Sequence, residues 1–216
     1  TALLIKKGTF GKYNKTVLLD ENQLMKREEA LEIILDSLSD ETIVVSTTGK
    51  TSREIFEIRE KNNQSHEKDF LTVGSMGHCS SIALGIALAR PDRQVVCIDG
   101  DGAMLMHLGS LTSIAGLKPK NFRHILMNNE VHESVGGQAT AAKEINLSAI
   151  IESFGVNDIF FAESSLELKH KVSEFLSSSK PSFLEVKIYP GSRDDLGRPT
   201  IKPIENKVSF MKFLEN

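Results

Sequence analysis

The chain reads as an α/β protein, a mostly parallel sheet with helices on both faces. Three observations lead there. Short runs rich in β-branched residues alternate with segments of helical periodicity over most of the length. The clearest run, Thr42-Ile43-Val44-Val45-Ser46, has no polar–apolar alternation, which suits a strand covered on both sides. Several runs end in turns rich in glycine or asparagine, and in such sheets ligands bind at the carboxyl ends of the strands.

Residues 23–38 carry Leu24, Leu31, Ile34, Leu35 and Leu38 at helical spacing. A strand is expected at 42–46, a helix at 51–61, a strand at 70–73 and a small-residue helix at 80–89. Pro91-Asp92-Arg93 turns the chain into a strand at 94–98. A helix follows to about residue 117, and Pro119 bars its extension. A strand at 124–127 ends in Asn128-Asn129. Helix 147–154, strand 158–161, helix 166–176 and strand 183–188 come next. A tail with Gly and Pro over 190–203 precedes a short terminal helix.

The 216 residues suffice for one domain with a sizeable core, and 40% apolar and 25% charged residues are ordinary for a globular protein. A net charge of −3 with no long basic block gives no indication of nucleic acid or an anionic membrane surface. No apolar run approaches the roughly 18 residues a membrane span needs, and the first residues lack a secretory layout. Cys79 and Cys97 lie among apolar or small residues without CxxC spacing, so two buried free thiols and a reducing cytoplasm are expected. The run Ala2-Leu3-Leu4-Ile5 is strand-like with nothing local to pair with. It is either an edge strand or the last strand of a preceding domain. Residues 13–22 read as a linker.

The chemistry is concentrated at Gly100-Asp101-Gly102-Ala103, where a strand runs into a helix. The two glycines let backbone approach a phosphate, and the helix start offers free N–H groups. A bare carboxylate there would repel phosphate unless it held a divalent cation, so Asp101 is the expected ligand. One βα unit later the chain reaches Asn128-Asn129, whose amide oxygen is a hard donor suited to Mg²⁺. The loops at 47–50 and 74–76 end neighbouring strands and are expected to face the same crevice.

GDG followed by NN at this spacing resembles the cofactor motif of thiamine-diphosphate-dependent enzymes. The stretches 46–54 (STTGKTSRE), 69–78 (DFLTVGSMGH), 134–140 (SVGGQAT) and 195–199 (DLGRP) are similar to the phosphonopyruvate decarboxylase family. Sulfopyruvate decarboxylase matches them less well. The resemblance covers almost the whole chain. It implies thiamine diphosphate and Mg²⁺ as cofactors, and decarboxylation of phosphonopyruvate to phosphonoacetaldehyde and carbon dioxide. It implies that Asp101 and Asn129 bind the metal by side chain and Val131 by its carbonyl, with Asn128 orienting the loop. The family usually has glycine after the double Asn, and here Glu130 stands there.

The same resemblance gives the Gly74 carbonyl to the aminopyrimidine, Ser75 to cofactor binding, Met76 to bending the cofactor, and Thr48, Gly49 and Lys50 to the diphosphate or substrate. Met76 taken alone would read as a core filler. Arg53, with Lys50, either meets the substrate's distal anion or lies on a solvated helix face. His132 either lines the pocket or is structural, and so with His78. His107 and His124 are expected to be structural, His66 and His170 to lie on the surface.

By resemblance residues 1–12 are the end of a pyrimidine-binding domain, 23–190 the diphosphate-binding domain, and 191–216 a tail with a short helix. The catalytic glutamate of such enzymes belongs to the pyrimidine-binding domain and has no equivalent in this chain. The implied partners are a 2-oxo acid, a pyrimidine-binding domain of the same or a second chain, and further copies in a homo-oligomer. Two other readings remain: a sulfopyruvate decarboxylase beta-type subunit, and a non-catalytic thiamine-diphosphate module. A nucleotide-binding α/β protein is disfavoured, since neither GxGxxG nor GxxxxGK[ST] occurs.

Overall fold

The computed structural model describes residues 2–6, 8–10 and 24–215. From the first helix the order is α1 (Arg27–Asp36), β1 (Ile43–Ser46), α2 (Lys50–Lys61), β2 (Asp69–Leu71), α3 (Cys79–Ala89), β3 (Val95–Gly100), α4 (Asp101–Met106), α5 (Leu111–Leu117) and β4 (Phe122–Asn128). The two-residue strands β5 (Val131–His132) and β6 (Gln138–Ala139) follow. Then come α6 (Leu147–Ser153), β7 (Asp158–Ala162), α7 (Ser165–Ser177), β8 (Ser182–Lys187) and α8 (Pro203–Glu215).

Six strands form one sheet in the order β2-β1-β3-β4-β8-β7, every neighbour parallel, as expected. Alternate residues of each strand feed two cores. Val44, Val96, Ile98, Ile125 and Leu184 face α1, α2 and α7. Val45, Val95, Cys97, Leu126 and Phe183 face α3, α5, α6 and α8. Both strand faces are therefore apolar, which is why these strands read as unbroken runs.

The strand order places the site. From β1 the chain crosses by α2 to β2 on one side, then returns by α3 to β3 on the other side of β1. The loops leaving β1 and β3 thus diverge to opposite faces of the sheet. The crevice between them lies at the carboxyl ends of adjacent strands, where open α/β sheets bind ligands.

The free edge of β2 is closed by α8. Asn206 Oδ1 accepts from the Leu71 N–H at 3.4 Å and Asn206 Nδ2 donates to the Asp69 carbonyl at 3.0 Å. One amide side chain satisfies the groups a further strand would have paired. Phe210 of the same helix is buried against Phe70. The terminal helix is thus part of the sheet's packing, and its 13 residues exceed the short helix expected.

Three details differ from the sequence reading or add to it. The single helix to residue 117 is broken after Met106 into α4, a 3-10 turn at Leu108–Ser110 and α5, where Gly109 and Ser110 are weak helix formers. The β5–β6 hairpin was not anticipated, because two-residue strands carry no periodic signal. Residues 2–6 pair with no strand among the described residues, so they are not an edge strand of this sheet, and Leu3 and Leu4 are exposed. The expected linker at 13–22 lies outside the described residues.

Candidate active site

The loops singled out in the sequence converge on one cavity. It is lined by Thr47, Thr48 and Lys50 after β1, Met76 after β2, Gly100, Asp101, Gly102 and Ala103 at the β3–α4 junction, and Asn129, Val131 and His132 after β4. Gly49, Gly74 and Ser75 lie outside the lining but shape it. All three have left-handed backbone, with φ of 102°, 73° and 45°. The Gly74 N–H donates to Thr48 Oγ1 at 3.0 Å, tying the first two loops together. Arg53 lines an adjoining groove with Lys50, Glu133 and Arg193. It makes no salt bridge among the described residues, whereas Arg193 is paired to Glu28, Glu57 and Asp195.

Asp101 opens α4 after Gly100, whose extended backbone turns the strand into the helix. Only 2% of Asp101 is exposed. Burial pushes its carboxyl above the usual range, while the Thr140 hydroxyl and the N–H groups of Gly102 and Asn129 pull it down. Its hydrogen-bond donors are thus neutral, and it has no salt bridge among the described residues. A buried carboxylate with neutral donors, beside an amide oxygen and a carbonyl, is a donor set that fits a hard divalent cation. Gly102 has a second reason to be glycine: a Cβ there would sit 2.7 Å from the His132 ring. His132 lines the same cavity.

The two asparagines divide the work. Asn128 is buried and donates to Glu185 Oε1 at 2.7 Å, while its Oδ1 accepts from the Glu130 N–H. Asn129 faces the cavity, donating to Glu133 Oε2 at 3.0 Å and accepting from the Val131 N–H at 3.2 Å. Glu130 has φ of 60°, the conformation for which glycine is suited, and its carboxylate is held by Lys187 at 2.6 Å, outside the cavity lining.

Sequence reasoning missed Arg27, Glu133 and Thr140. Glu133 binds Arg27 and Lys50, each at 2.7 Å, and Arg27 is also bidentate to buried Glu54. The cations beside Glu133 hold its carboxyl down against burial, which acts the other way. Glu133 and Thr140 lie in or beside a stretch already singled out, at 134–140. Arg27 stands about a hundred residues earlier on a helix without a motif, and nothing local marks it.

Both cysteines are buried free thiols, with Sγ atoms 3.7 Å apart. Beneath the GDG turn, His124 Nε2 lies 3.6 Å from Asp99 Oδ2, and both residues are almost wholly buried. Burial would lower the His124 pKa, but Cys97 and Asp99 outweigh it and push it up to about 10. His124 is structural, as expected. His107 is exposed at the break after α4, its ring 4.2 Å from that of His78, and neither lines the cavity. His66 is not simply a surface residue: it stacks on Phe56 at 4.1 Å and bonds Glu60. His170 is exposed.

A parallel sheet whose third strand ends in GDG and whose fourth ends in NN, with both motifs in one crevice, defines a class of cofactor-binding domain. Residues 47–186 match the family described as thiamine pyrophosphate enzyme, C-terminal TPP binding domain, and the chain belongs to that family. Within it, a phosphonopyruvate decarboxylase of Streptomyces viridochromogenes is 37% identical over 188 residues, 87% of this chain and 46% of that protein. A sulfopyruvate decarboxylase subunit beta of Methanothermobacter thermautotrophicus is 38% identical over 171 residues, 79% of this chain and 86% of that one. The chain thus spans about half the length of the first relative and most of the second. A solved thiamin diphosphate-dependent enzyme of Mycobacterium smegmatis shares the fold, with a TM-score of 0.64 and 22% identity over 77% of this chain and 32% of that chain. No helix among the described residues is long and apolar enough to cross a membrane.

Proposed function

We propose that this chain is the diphosphate-binding half of a thiamine-diphosphate- and Mg²⁺-dependent 2-oxo-acid decarboxylase acting on phosphonopyruvate. The observation that carries the reading is the joint exposure of Asp101, Asn129 and Val131 to one cavity. Thiamine diphosphate, when bound, supplies the carbon nucleophile for the 2-oxo carbon and accepts the electrons left by carbon dioxide. The Asp101 carboxylate, the Asn129 amide oxygen and the Val131 carbonyl would hold Mg²⁺ against the diphosphate. Thr48, Gly49 and the Gly100–Ala103 turn would contact the diphosphate. Gly74, Ser75 and Met76 would meet the aminopyrimidine, with the Met76 side chain orienting it. His132, packed on Gly102, would keep water from one side of the cavity.

Substrate choice rests on charge. Phosphonopyruvate carries a phosphonate on the carbon that in pyruvate is a bare methyl, so its pocket needs cations. Lys50 borders both the cavity and the adjoining groove, and Arg53 stands in that groove without a salt bridge among the described residues. Among the described residues, the acids in the cavity lining, Asp101 and Glu133, are engaged with Thr140 and with Arg27 and Lys50. The glutamate that begins cofactor activation would therefore come from a pyrimidine-binding domain of the same or a second chain in a homo-oligomer, and this chain alone would be inactive.

The test is kcat/KM of the whole protein for phosphonopyruvate, sulfopyruvate and pyruvate side by side. Phosphonopyruvate should lead pyruvate by a factor that can reach about 10⁴, since buried charge left unpaired discriminates strongly. Lys50→Ala or Arg53→Ala should narrow the gap. A lead for sulfopyruvate would favour a sulfopyruvate decarboxylase beta-type subunit, a reading supported by the coverage of that relative. Equal values for pyruvate and phosphonopyruvate would remove the substrate assignment and leave the cofactor reading standing.

A further inference from the structure

Glu133 joins four parts of the site. It stands on the 3-10 turn Glu133–Val135 that follows β5. Its Oε2 accepts from Asn129 Nδ2 at 3.0 Å and from Arg27 Nη1 at 2.7 Å, and its Oε1 accepts from Lys50 Nζ at 2.7 Å. Arg27 is anchored in turn by two bonds to Glu54, at 2.6 and 2.8 Å. Two cations and two carboxylates thus balance, and three of the four side chains are almost buried.

An amide has a donor end and an acceptor end, and a half-turn exchanges them. If Asn129 were free to turn, its N–H groups would face a bound cation half the time and repel it. The Val131 N–H on Asn129 Oδ1 at 3.2 Å already favours one orientation, and the Glu133 carboxylate on Nδ2 secures it, because the flipped amide would set oxygen against oxygen and N–H against N–H. The Asn129 backbone N–H also reaches the Asp101 carboxylate, so the two residues proposed for the metal are neighbours through the main chain.

We infer that Glu133 is a positioning residue, which fixes Asn129 with its amide oxygen toward the metal and is itself held in place by Arg27 and Glu54. The inference rests on the cofactor reading above. It assigns Glu133 no contact with cofactor or substrate. Carboxylates that orient metal ligands in this way are worth about 10–100-fold in metal affinity.

The experiment uses the whole protein and follows thiamine diphosphate binding by calorimetry while Mg²⁺ is varied. Glu133→Gln should raise the Mg²⁺ concentration for half-saturation by about 10–100-fold. Arg27 keeps Glu54 in that variant, so the fold should persist, and thermal melting checks this. Should the variant melt early, Glu133→Asp keeps the charge but retracts it from Asn129, and the Mg²⁺ requirement should still rise. In Asn129→Ala the requirement also rises, and adding Glu133→Gln should then raise it no further. An unchanged Mg²⁺ requirement in Glu133→Gln or Glu133→Asp would overturn the inference, as would full additivity in the double variant. Failure of the wild type to bind thiamine diphosphate with Mg²⁺ is a different result, which would sink the cofactor reading and this inference with it.

Discussion

Asn128 and Asn129 are neighbours in sequence, yet their amides serve opposite sides of the end of β4. Asn128 donates to Glu185 within the fold at 2.7 Å, and Asn129 donates to Glu133 in the cavity wall at 3.0 Å. Strand residues alternate in direction, so a doubled asparagine at a strand end gives one amide to the structure and one to the site. Asn128→Ala should therefore cost about 1–3 kcal/mol of stability, because Glu185 loses a buried partner. Asn129→Ala should leave the melting temperature nearly unchanged and weaken Mg²⁺-dependent cofactor binding. Paired melting and binding curves would expose a failure if the two variants behaved alike.

Asp99 and Asp101 make a second contrasting pair. Asp99 is wholly buried, caps the Gly100 N–H at 2.8 Å and faces His124. Asp101 lines the cavity. Asp101→Ala is expected to lose Mg²⁺-dependent thiamine diphosphate binding while the sheet stays folded. Asp99→Asn should melt earlier and still bind. Circular dichroism melts alongside calorimetry decide it, and equal losses of binding at both positions would contradict the assignment of Asp101.

Met76 lines the cavity and is half-buried. If it orients the cofactor, Met76→Ala should lower kcat by up to about 100-fold, more than it weakens thiamine diphosphate affinity, because a small misplacement of reacting groups is costly. Met76→Leu keeps the volume and should be mild. Normal turnover with an earlier melt would make Met76 a packing residue only.

His124 provides a pH signature. Its pKa is raised from the ordinary 6.5 to about 10, with burial opposing and Cys97 and Asp99 outweighing it. A raised folded pKa means that the charged form is stabilised by folding. The stabilisation is full below pH 6.5 and is lost as pH climbs toward 10. Cys97 and Asp99 face it from β3, with Cys79 of α3 in contact with Cys97. The wild type should thus lose more thermal stability between these limits than His124→Gln does. Parallel slopes for the two proteins would argue that His124 is neutral in the fold.

The sequence by itself determined the α/β class, all six strands of the main sheet, and the positions of the four loops that form the cavity. It could do so because strands buried on both faces read as unbroken β-branched runs, and because Gly100-Asp101-Gly102 and Asn128-Asn129 announce their chemistry in residue type. What only the tertiary structure decided is how the site is held. Arg27, Glu54 and Glu133 lie on separate elements, the bonded pairs being 27 and 106 positions apart in sequence. Ion pairs across such separations leave no trace in local periodicity. The packing of α1 against α2, and the return of the chain over the crevice after β4, set them face to face. The same holds for Asn206 on the edge of β2, for the two-residue hairpin of β5 and β6, and for Glu130, whose carboxylate is turned to Lys187. Local sequence chose the elements and the residues that line the cavity; the packing of distant side chains chose their orientation.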